Sequence, residues 1–154
     1  MRLLPPAEFT ARITSPKQES KLASSELLIN GRPTGLIVAG AVLEAAVEWQ
    51  GCRIIFFTDD IPFEDMLRIY MFSADMTLVD TAVLGAMYST GTFADLSLLP
   101  PNVLTFRFFG GIVWRLVLLS EQEFAFPLVS DPRGVTRGFR LSRRFRIEGK
   151  PLPG

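Results

Sequence analysis

The chain has 154 residues, 48% of them hydrophobic, with no net charge at neutral pH, no histidine and a single cysteine. That length and apolar content favour one domain with its own core, and zero net charge removes any global pull toward nucleic acid or anionic lipid. The missing histidine excludes Ser-His-Asp catalysis and histidine-ligated metal, and the lone Cys52 excludes an intrachain disulfide.

The opening residues Met1-Arg2-Leu3-Leu4-Pro5-Pro6 lack the apolar run of a signal peptide. The longest apolar stretch, residues 35–43, stops at Glu44 and is too short to span a bilayer. With an unpaired cysteine, these features predict a cytoplasmic protein without membrane association.

The first forty residues form a lead-in with two readings. Residues 8–13 suit a strand. Ser15-Pro16 resembles an N-cap followed by proline at the first helical position, and Gly31 would close a short helix near Asn30; a loop is the competing reading. From residue 41 to 119 the chain reads as a β core. Leu43, Ala45, Val47 and Trp49 alternate with Glu44, Ala46, Glu48 and Gln50, which predicts a strand with one buried and one wet face. Gln50-Gly51 then turns the chain into the β-branched and aromatic run of residues 53–58.

A loop over residues 59–65 contains Pro62. Residues 66–72 resume the ladder, Ser73-Ala74-Asp75-Met76 makes a turn, and residues 78–87 give the next strand, with Gly85 at a bulge. Residues 93–99 form a short strand ended by Pro100-Pro101. The clearest unit pairs residues 103–109 with 112–119 as a hairpin about Gly110-Gly111, which can take the positive φ of a tight turn. Apolar residues on both its faces point to a sandwich or a curled sheet. Trp49, Phe56, Ile69, Leu104, Phe106, Trp114 and Leu116 are the predicted core. The dominance of Phe, 13 against two Trp and two Tyr, suits a dry one. A tail over residues 131–154 is basic, with Phe139, Leu141, Phe145 and Ile147 in strand register and Pro151 and Pro153 fraying its end. The whole, residues 1–154, reads as a single mainly β, antiparallel domain.

Charge is segregated along this chain. Residues 41–100 hold nine acids and two bases, and residues 131–154 hold seven bases and two acids. One-signed patches speed encounter with an oppositely charged partner, although a solvated face is the plainer account. Asp59, Asp60, Glu64 and Asp65 crowd one loop around Ile61 and Phe63. Their spacing lacks the EF-hand pattern and its glycine, so no metal is assigned. No neighbouring feature marks a substrate pocket, so no catalytic residue is assigned either. An aromatic inside an acidic rim is a familiar hot spot for binding, which makes Asp59, Asp60, Phe63, Glu64 and Asp65 the candidate partner-binding residues. Arg137, Arg140, Arg143, Arg144 and Arg146 form a second, basic candidate patch. It can grip phosphate in principle, but a neutral chain without a nucleic-acid motif disfavours that, and an Arg-blunted edge strand is simpler. Cys52 lacks a histidine base and reads as a small buried residue.

Three strings, Glu44-Ala45-Ala46-Val47-Glu48-Trp49-Gln50, Thr58-Asp59-Asp60-Ile61-Pro62-Phe63-Glu64-Asp65 and Leu84-Gly85-Ala86-Met87-Tyr88-Ser89-Thr90-Gly91, carry a family likeness. Through them residues 35–119 resemble small β-rich bacterial proteins that act as immunity partners of secreted toxins. The resemblance implies a non-catalytic protein without cofactor that blocks a cognate toxin by direct contact. Two alternatives stand beside it: a β-barrel module holding a small apolar ligand, and a structural subunit of an assembly.

Overall fold

The computed structural model describes residues 1–85, 91–124, 131–137 and 142–152, and among them the chain is all β. The strands in chain order are β1 (Arg2–Leu3), β2 (Phe9–Ser15), β3 (Ser24–Ile29), β4 (Arg32–Ala39), β5 (Val42–Trp49), β6 (Cys52–Thr58) and β7 (Leu67–Phe72). They continue with β8 (Leu78–Leu84), β9 (Ala94–Leu99), β10 (Val103–Arg107), β11 (Val113–Phe124), β12 (Val135–Thr136) and β13 (Ser142–Glu148). Three sheets result, ordered β1-β5-β6-β7-β8-β12, β13-β11-β10-β9 and β2-β3-β4. Every pairing is antiparallel.

The six-stranded sheet is the middle layer. Ile54 and Phe56 of β6 and Leu67, Ile69 and Met71 of β7 pack against Leu104, Phe106, Trp114, Leu116, Phe145 and Ile147 of the four-stranded sheet. Ile55, Phe57, Tyr70 and Phe72 point the other way, onto Phe9 and Leu27 of the three-stranded sheet. A strand covered on both faces has no wet side, so β6 and β7 replace alternation with nearly continuous apolar sequence. All seven predicted core residues are buried. The architecture is a layered sandwich, in line with the predicted sandwich or curled sheet, and among the described residues the sheets do not close into the alternative barrel.

The lead-in differs most from the sequence reading. Its helix is absent: residues 9–15, 24–29 and 32–39 are the three strands of the third sheet. Asn30 (φ 52°) and Gly31 (φ 78°) connect the paired residues Ile29 and Arg32. Two successive positive φ values in a two-residue loop match the right-handed twist of the strands they join. Gln50 (φ 49°) and Gly51 (φ 78°) do the same between Trp49 and Cys52, as the sequence predicts.

Strand β5 carries a bulge. Leu43 pairs with Phe57 and Ala45 with Phe56, leaving Glu44 as the extra residue, whose carboxylate accepts from Thr58 Oγ1 at 2.9 Å. One inserted residue reverses side-chain parity. Leu43 and Ala46 therefore pack toward the third sheet, while Ala45, Val47 and Trp49 face the four-stranded one. The expected wet face of this strand is thus partly buried.

The hairpin of β10 and β11 pairs Val103 with Val117 through Arg107 with Val113. Its connection, residues 108–112, is wider than a two-residue turn, with Gly110 and Gly111 at positive φ. Phe108 and Phe109 within it are buried, and Trp114 Nε1 donates to Phe109 O at 2.9 Å. The predicted strand over residues 78–87 is β8 up to Leu84, and its last two residues lie outside those described, as do Phe139, Leu141 and Pro153.

Candidate protein interface at the β6–β7 loop

Residues 59–66 connect β6 to β7, whose ladder ends at the pair Thr58 and Leu67. The four acids of this loop divide by role. Asp59 is only 3% exposed. Its carboxylate holds the Arg68 guanidinium in a two-pronged pair, Nε to Oδ1 at 2.8 Å and Nη2 to Oδ2 at 3.1 Å. Such a paired fork adds geometric specificity to charge. Asp65 Oδ1 accepts the backbone N–H of Asp59 at 2.8 Å and of Asp60 at 3.1 Å, which clasps the two ends of the loop together. Asp59 and Asp65 thus fasten the loop, Asp59 from a buried position and Asp65 from a half-buried one.

Burial pushes the Asp65 carboxyl above its ordinary value, against the opposing pull of the backbone N–H groups of Asp59, Asp60 and Met66. Burial also works against the Arg68 charge, but the hydrogen bonds and charge of Asp59 outweigh it and raise the guanidinium pKa.

Asp60, Phe63 and Glu64 point outward. Phe63 is 81% exposed, the most exposed large apolar side chain among the described residues. Asp60 (φ 57°) and Phe63 (φ 66°) both take the left-handed conformation, and Glu64 N–H donates to Ile61 O at 3.3 Å to close the turn between them. That backbone region is tolerated by aspartate but is a true outlier for an aromatic residue. The loop thus spends conformational strain to hold an apolar ring in water, on a turn where Asp60 and Glu64 are exposed as well.

The basic candidate patch has another fate. Arg137 and Arg143 are nearly buried at their side chains. Arg137 Nη2 pairs with Asp80, its Nη1 donates to Phe145 O at 3.1 Å, and its guanidinium lies 4.2 Å from the Phe145 ring centroid. Burial pulls the Arg137 pKa down, opposed by Asp80 and then Asp131. Arg143 Nη1 donates to Asp131 at 2.9 Å. Arg144 is partly buried, with its Nε on Leu119 O at 3.0 Å and its backbone N–H on Asp80 Oδ2 at 2.7 Å. Arg146 is exposed, and Arg140 lies outside the described residues. Arg137 and Arg143 are thus internal countercharge for Asp80 and Asp131 rather than a surface patch. Asp80, missed as a site by sequence reasoning, shares strand parity with the buried Ala82 and Leu84. An acid in phase with core residues was the available signal.

Cys52 is buried, as expected. No helix among the described residues is long and apolar enough to cross a membrane. No family model, no curated protein and no solved structure matches this chain.

Proposed function

We propose that this protein acts by contact, as a non-catalytic inhibitor of the immunity type that blocks a bacterial toxin. The observation that carries the reading is Phe63: an aromatic 81% exposed, at positive φ, on a loop pinned by Asp65 and by the Asp59–Arg68 pair. Strain of this kind persists only where the surroundings impose it, and it concentrates at ligand clamps and binding sites. The matching partner surface is an apolar cleft with a basic rim. Asp60 and Glu64 steer the approach and Phe63 fills the cleft, so the toxin's site is closed by excluded access. The resemblance of residues 35–119 to immunity partners supplies the class of target.

The partner is to be recovered by co-purification from the native host, and the variants then measured against it. Phe63→Ala is expected to weaken binding by about 2 kcal/mol, seen as a roughly 30-fold faster dissociation. Asp60→Lys with Glu64→Lys is expected to slow association, most strongly at low salt. Binding that survives all three changes in folded protein would remove this loop from the interface.

A stability measurement separates a binding role from a structural one. Phe63→Gly relieves the left-handed strain and removes an exposed ring. The expected result is a gain of about 1 kcal/mol in unfolding free energy together with loss of binding. A loss of stability would instead make Phe63 part of what holds the loop.

A further inference from the structure

Strand β11 outruns its neighbour β10. Their ladder ends at Val103 and Val117. One more step follows, in which Leu118 N–H donates to Asn102 O at 2.7 Å and Asn102 Nδ2 donates to Leu118 O at 3.0 Å. Beyond that point β11 continues to Phe124. On its other side β13 pairs through Leu118 with Phe145 and resumes at Glu123 with Arg143, so residues 119–122 bulge opposite Arg144 alone. Among the described residues, no strand pairs with β11 past Leu118 on the β10 side.

That open side faces a groove of about 580 Å³. Trp49 and Gln50 of the β5–β6 turn and Pro101-Asn102 form one flank, and residues 118–123 form the other. The flanks are fastened independently of any occupant. Trp49 Nε1 donates to Pro101 O at 2.7 Å, and Ser120 Oγ donates to Gln50 Oε1 at 3.1 Å. Glu121 and Glu123 both line the groove and are exposed, and none of its lining residues is a cation.

An extended edge offers main-chain donors and acceptors, which a peptide satisfies by adding itself as a strand. Two carboxylates in the same groove select the sign of that peptide. We infer that the groove beside residues 118–123 receives an extended, Lys- or Arg-bearing segment of a partner protein, added as a strand along β11. This surface is separate from the Phe63 loop and does not depend on its role.

The probe is a fluorescein-labelled hexapeptide alternating Lys and Val, followed by anisotropy at low salt. Three comparisons accompany it: the same pattern with Glu for Lys, the Lys peptide N-methylated at alternate residues, and the protein carrying Glu121→Lys with Glu123→Lys. The Lys peptide is expected to bind and the Glu peptide to fail. The N-methylated peptide should bind at least about tenfold more weakly, because its strand hydrogen bonds are lost. The charge-swapped protein, its melting temperature unchanged, should prefer the Glu peptide. Phe63→Ala should leave all of this intact. Equal binding of plain and N-methylated Lys peptides would reduce the site to an acidic surface. Undiminished Lys-peptide binding by the charge-swapped protein, or no binding up to about 1 mM, would overturn the assignment.

Discussion

Replacing Asp80 with Ala is expected to destabilise the protein by about 3–5 kcal/mol, read from urea unfolding. Asp80 is 2% exposed on β8 of the middle sheet. Its Oδ1 accepts the Thr81 N–H at 2.8 Å. Its Oδ2 receives Arg137 Nη2, Arg144 N–H at 2.7 Å and Phe145 N–H at 3.3 Å. One carboxylate thus joins the middle sheet to β13 of the four-stranded sheet. Its removal leaves a buried guanidinium whose nearest remaining carboxylate, Asp131, is 3.9 Å away. It also strips three backbone N–H groups, those of Thr81, Arg144 and Phe145, of this acceptor, each a loss of about 1–3 kcal/mol when buried. Asp80→Asn keeps the volume but turns an amide donor toward other donors, so it should recover little. Asp80→Leu combined with Arg137→Met should lie closer to the native protein than Asp80→Ala does, because no unpaired charge remains. The orphaned N–H groups of Arg144 and Phe145 should keep that recovery incomplete. An Asp80→Ala loss below about 1 kcal/mol would mean that water or a neighbouring group replaces the carboxylate at little cost.

The parts of this fold that sequence exposes are those set by local chemistry. Gln50-Gly51, Pro100-Pro101 and Gly110-Gly111 punctuate strands that alternate or run apolar, and each turn lies where those residues place it. Asn30-Gly31 carries the same information but is ambiguous, since a glycine after asparagine can close a helix or turn a hairpin. What decides it is Leu27, fully buried, which needs a facing sheet that no local signal reveals. The bulge at Glu44 is equally silent, because a single residue reverses parity without altering composition.

The candidate site was legible as a loop and not as a set of roles. Asp59 and Asp60 are neighbours of identical chemistry. One is buried because Arg68 stands on the adjoining strand, and the other faces water. The basic tail misled for a related reason. A charge run suggests a surface when its countercharge is far along the chain, and Asp80 lies 57 residues from Arg137. Charge segregation in sequence became charge neutralisation in space.

Phe106→Ala is expected to cost about 3–5 kcal/mol, the range for emptying a fully buried aromatic site. Phe106 has no exposure and sits between the middle and four-stranded sheets. Its ring meets Phe56 edge-on, with centroids 5.6 Å apart, and Phe93 at 5.7 Å, while Trp114 is its cross-strand partner. Two aromatic contacts vanish with the side chain, each about 0.5–1.5 kcal/mol beyond area burial. Phe106→Leu keeps most of the volume and should cost about 1–2 kcal/mol. That milder change tests the layered architecture through double-mutant cycles. Phe56 touches Phe106, so Phe56→Leu with Phe106→Leu should depart from additivity by about 0.5 kcal/mol or more. Phe57, the next residue along β6, faces the opposite core, so Phe57→Leu with Phe106→Leu should add within about 0.5 kcal/mol. Coupling of Phe57 to Phe106 as strong as that of Phe56 would mean that the two cores respond as one. Additivity would show that the middle sheet separates them, and that adjacent residues of β6 report on different layers.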